Sequence, residues 1–110
     1  MSYVTQYRDA RKEMDILNRK FFHLPKIYLP VRLHYLKNDW AFAYESADEA
    51  VRFTALARWY PSYRFFRSIV AHELIHHWQL HHGIEPDHDE TFFSWKPILE
   101  PLGYSIEEIY

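Results

Sequence analysis

The strongest constraint in this 110-residue chain is the stretch between Pro61-Ser62 and Gly83, about 20 residues with neither proline nor glycine. Ser62 is suited to cap a helix and Gly83 to stop one, so the spacing predicts a single long helix between them. Phe66, Val70, Leu74 and Trp78 recur every fourth residue and, joined by Ile69, mark one apolar stripe. In a chain this short the helix is expected to lie at the centre, packed on whatever sheet the rest forms.

Midway along it stands His72-Glu73-Leu74-Ile75-His76, the pattern H-E-x-x-H. Helix residues four apart share a face, so both imidazoles can address one ion. Glu73 is one step from His72, rotated off the ligand axis, and is placed to take a proton from an activated water rather than to ligate. The flanks Ile69-Val70-Ala71 and Leu74-Ile75 are apolar. Burying two imidazoles and a carboxylate there without a partner would cost several kcal/mol (~2–7 per group). A metal ion, zinc by ligand type, supplies that partner.

A catalytic zinc takes three protein ligands and keeps one position open. His82 has the spacing of a longer motif, H-E-x-x-H-x-x-G-x-x-H, but Gln79 stands where the chain-reversing glycine belongs. The helix should therefore continue and carry His82 away from the ligand face. His88 lies beyond Gly83 in a loop able to double back, flanked by Asp87 and Asp89 as acceptors for its second ring nitrogen. His88 is the favoured third ligand, with Glu90 or Glu100 as a carboxylate alternative. His77, His81 and His82 read as an exposed polar face without a catalytic role.

Elsewhere the apolar period divides the chain. Residues 3–22 place Tyr7, Ala10, Met14, Leu17 and Phe21 on one helical face, stopped by Pro25 and Pro30. From 27 to 58 the period is two: Val31, Leu33 and Tyr35, then Trp40, Phe42 and Tyr44, then the run Val51–Ala57. With turns at Lys37-Asn38-Asp39 and Ser46-Ala47-Asp48-Glu49, these predict a three-stranded antiparallel meander. A helix from Asp48 to Trp59 is the alternative for the third run. Asp89 to Trp95 predicts a short helix broken near Pro97, and Ser105-Ile106-Glu107-Glu108 has capping-box spacing for a last turn. The expectation is an α+β fold, one domain over residues 1–110.

The chain has no cysteine, which excludes disulfides and thiolate zinc sites. Its N-terminus lacks the layout of a signal peptide, and no apolar run approaches a bilayer span of roughly 20 residues. A soluble cytoplasmic protein is expected, with no membrane partner. The net charge of −2 hides an asymmetry: eight of thirteen Lys/Arg, against three of fifteen acids, fall in residues 1–37. That basic third suits phosphate or an acidic partner; equally, it is what the solvated face of an amphipathic helix looks like.

The order of features resembles the SprT-like zinc metallopeptidase domain, particularly its compact bacteriophage versions. The similarity rests on Leu17-Asn18-Arg19-Lys20-Phe21-Phe22 with Leu24-Pro25, on Trp40-Ala41-Phe42-Ala43-Tyr44, on Ala71-His72-Glu73-Leu74-Ile75-His76-His77-Trp78-Gln79, and on His88-Asp89-Glu90-Thr91-Phe92-Phe93-Ser94-Trp95-Lys96. It implies a zincin-like fold: an N-terminal helix, a three-stranded antiparallel sheet, the H-E-x-x-H helix and a short C-terminal helix. It implies Zn2+ on His72, His76 and His88, and Glu73 as general base for hydrolysing protein substrates, including DNA-associated proteins. For a viral chain the location would be the host cytoplasm. Asp89 departs from the family's usual glycine. No cysteine zinc ribbon is present, so DNA association would fall to the basic N-terminal region or to a partner. Two other functions compete: a metal-stabilised binding or inhibitor protein reusing the fold, and a nucleic-acid module using the first helix with Trp59 or Tyr60. Tyr44, Tyr60 and Tyr63 are candidate oxyanion stabilisers on chemistry alone.

Overall fold

The computed structural model describes residues 2–46 and 51–108, so the expected turn at Ser46–Glu49 lies, apart from Ser46, outside the described residues. Strand β1 (Tyr3–Val4) precedes helix α1 (Tyr7–Leu17), which continues as a π-helical turn over Asn18–Phe22. Strands β2 (Val31–His34), β3 (Ala41–Ser46), β4 (Val51–Ala57) and β5 (Trp59–Tyr60) follow, then α2 (Tyr63–His81), α3 (Glu90–Phe93) and α4 (Lys96–Leu99). The result is an α+β structure with two small sheets.

The first helix is shorter than its apolar pattern suggests. Tyr3 and Val4 are drawn out of it to pair antiparallel with Tyr60 and Trp59. Ala10, Met14 and Leu17 face the core as expected, but Phe22 rather than Phe21 is buried beyond them. The π turn explains the shift: its wider winding brings the residue five beyond Leu17 back to the core face. His23, at φ 52°, closes that turn, its N–H donating to Asn18 O at 2.8 Å.

The three-stranded sheet is not the expected meander. Its order is β2-β4-β3, with β4 antiparallel to β3 but parallel to β2. Alternation tells which face a side chain takes, not which strand is its neighbour. Burial decides the neighbour: Phe53 through Ala57 are all buried, so β4 takes the centre, where both faces are covered. The strands carrying exposed Arg32, Phe42 and Glu45 take the edges. Val51–Ala57 forms a strand and not the alternative helix.

Helix α2 runs through the middle of the molecule. Ser62 caps it, accepting from Phe65 N at 3.0 Å. Phe66, Ile69, Ala71, Leu74 and Ile75 have no exposed surface, and burial extends to both sides of the expected stripe. Gly83 ends it in a Schellman arrangement, with Ile84 N donating to Gln79 O at 2.8 Å and Gly83 N to Leu80 O at 3.0 Å. Gly83 has φ +73° and open space where a Cβ would sit, so the cost of a side chain is backbone strain alone. Gly83→Ala is expected to lower stability by about 1 kcal/mol, read by urea unfolding. An unchanged midpoint would mean the left-handed residue contributes nothing.

After the loop, Asp89 caps α3, and Pro97 does not break a helix but sits in the first turn of α4, where its missing N–H is harmless. The capping-box spacing at Ser105 forms no helix. Ser105 N donates instead to Ser68 Oγ on α2 at 2.8 Å, and Ile106 is fully buried, laying the tail along α2. No helix among the described residues is long and apolar enough to cross a membrane.

Candidate metal centre

His72 and His76 lie one turn apart on α2, and the loop after Gly83 brings His88 against them. Their Nε2 atoms form a nearly equilateral triangle: 3.1 Å from His76 to His72, 3.2 Å from His76 to His88 and 3.2 Å from His88 to His72. A tetrahedral ion holding nitrogens at about 2.0–2.1 Å spaces them about 3.3 Å apart, so the triangle has the size a metal ion of that kind requires. Without an ion, three nitrogen atoms aimed at one point cannot all be satisfied by hydrogen bonds among themselves.

Burial prepares these rings. His72 is pushed down to about 3, first by desolvation and then by the neighbouring His76 and His88, so its imidazole is neutral and its lone pair available. His76 is lowered too, mainly by burial, with the Gln79 side chain opposing. The Nδ1 atom of His72 is buried with no hydrogen-bond partner among the described residues; the backbone of Glu107 favours a proton on this ring without reaching hydrogen-bond geometry. Beneath the triangle sits fully buried Phe92, its ring 4.8 Å from His72, 5.0 Å from His76 and 5.0 Å from His88. This aromatic floor fills one side of the site and restricts how the rings can tilt.

Glu73 opens on the same pocket, a space of about 380 Å³ lined also by Asn38, Asp39, Trp40, Ala41 and Glu108. Burial is the main cause that raises its carboxyl to about 7, with Arg52 opposing and Asp39 adding. Asn38, Asp39 and Trp40 also form the wall of a larger groove of about 700 Å³, which continues to His34, Tyr35, Arg58 and Trp59. Of the expected turn at 37–39, Asn38 and Asp39 thus border both spaces.

Other candidates fall elsewhere. Glu90 is exposed at the start of α3, and Glu100 accepts from Ile106 N at 3.4 Å and lies 3.9 Å from Lys96 Nζ. His82 is exposed at the end of α2, packed on Trp78. His77 corrects the expectation of a polar face: it is fully buried, Arg52 Nε donating to its Nδ1 at 3.2 Å and its Nε2 lying 2.7 Å from Thr54 Oγ1. The side of α2 that carries it faces β4 rather than water. Burial holds its ring near 3, so it is a neutral core histidine joining helix to sheet.

Neither aspartate supports the His88 ring as expected. Asp87 Oδ1 accepts from the backbone N–H of His88 at 2.8 Å, and Asp89 Oδ1 accepts from Thr91 N at 3.0 Å and Thr91 Oγ1 at 2.6 Å. Asp89 has an extended backbone, φ −111°, which any residue adopts, so glycine is not needed there. None of the three candidate tyrosines lines the metal pocket. Tyr60 is buried, its hydroxyl donating to Trp40 O at 2.6 Å; Tyr63 donates to Glu13 at 3.1 Å; Tyr44 stacks on Phe53. Burial also removes Tyr60 as a base-stacking surface, leaving Trp59 exposed. Sequence reasoning missed Gln79 as a functional residue. Its spacing of three from His76 was the available signal, and its Oε1 lies 2.9 Å from His76 Nδ1.

Compared with known proteins, the chain matches no family model, and no curated protein or solved structure matches it.

Proposed function

We propose that the protein is a zinc-dependent peptidase with a zincin-like arrangement, of the kind the SprT-like resemblance implies. One observation carries this: the three Nε2 atoms converge in a pocket that also holds Glu73. Zinc bound there would supply a Lewis acid able to lower the pKa of a water from about 15.7 toward 7. His72, His76 and His88 would hold the ion through their converging Nε2 atoms. Glu73, raised toward 7, stands where it can take the proton of the attacking water and return it to the departing amine nitrogen. Phe92 closes the underside of the imidazole triangle, and Trp40 lines the wall of the pocket.

A peptide substrate is supported by the neighbouring strand. Strand β3 is an edge, paired only with β4 among the described strands. Ala57 N donates to Trp40 O at 3.1 Å, so the alternation of the antiparallel ladder points the backbone groups of Ala41, Ala43 and Glu45 outward. Ala41 also lines the metal pocket. An extended chain adding to this edge would run past the imidazole triangle, and the 700 Å³ groove offers room for its side chains. Exposed Arg8, Arg11 and Lys12 on α1 offer a cationic face for DNA, consistent with DNA-bound substrates.

The test is to incubate zinc-loaded protein with unfolded proteins and extended peptides, with and without single-stranded DNA, and search for new termini by mass spectrometry. New termini that vanish on chelation and return with zinc are expected. A fully loaded protein that leaves every peptide intact would reject the peptidase and leave a metal-stabilised binding protein.

A further inference from the structure

We propose that Gln79 is a positioning residue that sets the tautomer of His76 and, through the same amide, locks the loop that delivers His88. The proposal rests on the metal-centre reading above but not on peptidase activity.

The geometry determines the orientation of the amide. Gln79 has no exposed surface. Its Nε2 lies 2.9 Å from the carbonyl oxygen of Asp87 and 2.8 Å from Thr91 Oγ1. A carbonyl oxygen can only accept, so the group facing Asp87 must be the NH₂. Thr91 Oγ1 donates its own proton to Asp89 Oδ1 at 2.6 Å and is free to accept from Gln79. Both amide hydrogens are thus engaged, one by the loop at Asp87 and one by the first turn of α3 at Thr91, and Oε1 is left facing His76 Nδ1 at 2.9 Å. An oxygen acceptor there requires the proton on Nδ1. The lone pair of His76 is then on Nε2, the atom that points into the triangle.

The same amide reaches both sides of the third ligand. Asp87 and Thr91 bracket His88, and the loop between Gly83 and α3 has no regular structure of its own. With one end on α2 beside His76 and the other on this loop, Gln79 makes the orientation of one ligand and the placement of another depend on a single side chain. The glycine expected at this position in a longer histidine motif would offer neither bond. Such supporting partners affect metal affinity about 10- to 100-fold.

The test compares wild type with Gln79→Met, which keeps volume but loses both bonds, and with Gln79→Glu, which keeps an acceptor toward Nδ1 but not the NH₂ toward Asp87. Zinc affinity is measured by competition with a chelator, and the His76 tautomer by nitrogen-15 NMR of the metal-free protein. Expected results are an Nδ1–H tautomer in wild type, about 10- to 100-fold weaker zinc binding in Gln79→Met with a mixed tautomer, and an intermediate Gln79→Glu that keeps the tautomer but exchanges amide hydrogens faster over residues 85–89. An Nε2–H tautomer in wild type overturns the proposal, and this reading needs no variant to fold. So does zinc affinity in Gln79→Met within about twofold of wild type, against that expected loss. Wild type that takes up no zinc would remove the metal centre and this role together; normal uptake with no effect of Gln79→Met removes this role alone.

Discussion

Glu73→Gln is expected to cut the proposed hydrolysis by orders of magnitude while making the metal-free protein more stable at alkaline pH. The first effect follows from removing the proton acceptor: general-base contributions are typically about 10²- to 10⁴-fold in rate. Zinc content should be unchanged, because Glu73 is not one of the converging ligands. The second follows from burial. The folded-state pKa of Glu73 is raised to about 7, above the ordinary glutamate value of 4.5. The folded protein therefore keeps a proton that the unfolded chain releases as pH climbs past 4.5. Stability from the neutral, buried acid is intact below that point, erodes through the window up to about 7, and is absent above it. The difference corresponds to about 3 kcal/mol.

Glutamine mimics the neutral acid at every pH, so the variant should not show this loss. His72 and His77, both held near 3, act in the opposite sense, adding stability that disappears as pH falls below about 6.5. The difference between wild type and Glu73→Gln isolates the carboxyl, because both proteins share those histidines. Urea unfolding in chelator at pH 5 and pH 8 makes the comparison. Equal pH dependence in the two proteins would show that Glu73 is not buried in the way described.

Zinc itself should produce the largest change in stability. An ion at about a thousand times its dissociation constant adds about 4 kcal/mol through linkage, which for a domain of this size corresponds to roughly 15–30 °C in melting temperature. His88→Ala should keep the fold but shrink that shift severalfold, because two imidazoles on one helix are left to hold the ion. Magnesium and calcium should do almost nothing at a site of three nitrogen donors. Scanning calorimetry with metal analysis of the same samples is the measurement. A wild-type melting temperature indifferent to zinc, or an equal shift in His88→Ala, is incompatible with this centre.

The parts of the molecule legible in the sequence are those governed by local rules. Ser62, Gly83 and the spacing between them anticipate α2, and a four-residue step puts His72 and His76 on one face whatever surrounds them. The approach of His88 follows from the helix stop and the loop length. What stayed hidden depends on contacts between distant segments. The order β2-β4-β3 reflects competition among three strands for the buried centre. His77 looked like part of a solvated histidine cluster because nothing local reveals that Thr54 and Arg52 wait across the helix–sheet interface. The sequence shows Gln79 only as a missing glycine, since its partners Asp87 and Thr91 come from the far side of a loop. The pairing of Tyr3 with Tyr60 spans more than half the chain, and two-residue strands carry no periodic signal at all.

Asn38, Asp39 and Trp40 border two spaces that otherwise draw on different parts of the chain. The imidazoles, Glu73, Gln79 and Phe92 all come from α2 and the segment just after it, whereas the groove walls come from the connection between β2 and β3 and from the end of β4. Under the proposed function, changes at Tyr35, Leu36 and Lys37, which line the groove but not the metal pocket, would reshape what is admitted, whereas changes at Asn38, Asp39 or Trp40 would reach the metal pocket as well. A lineage with this architecture and the proposed function would diversify its targets by editing those three groove positions while the residues of the metal pocket stay unchanged.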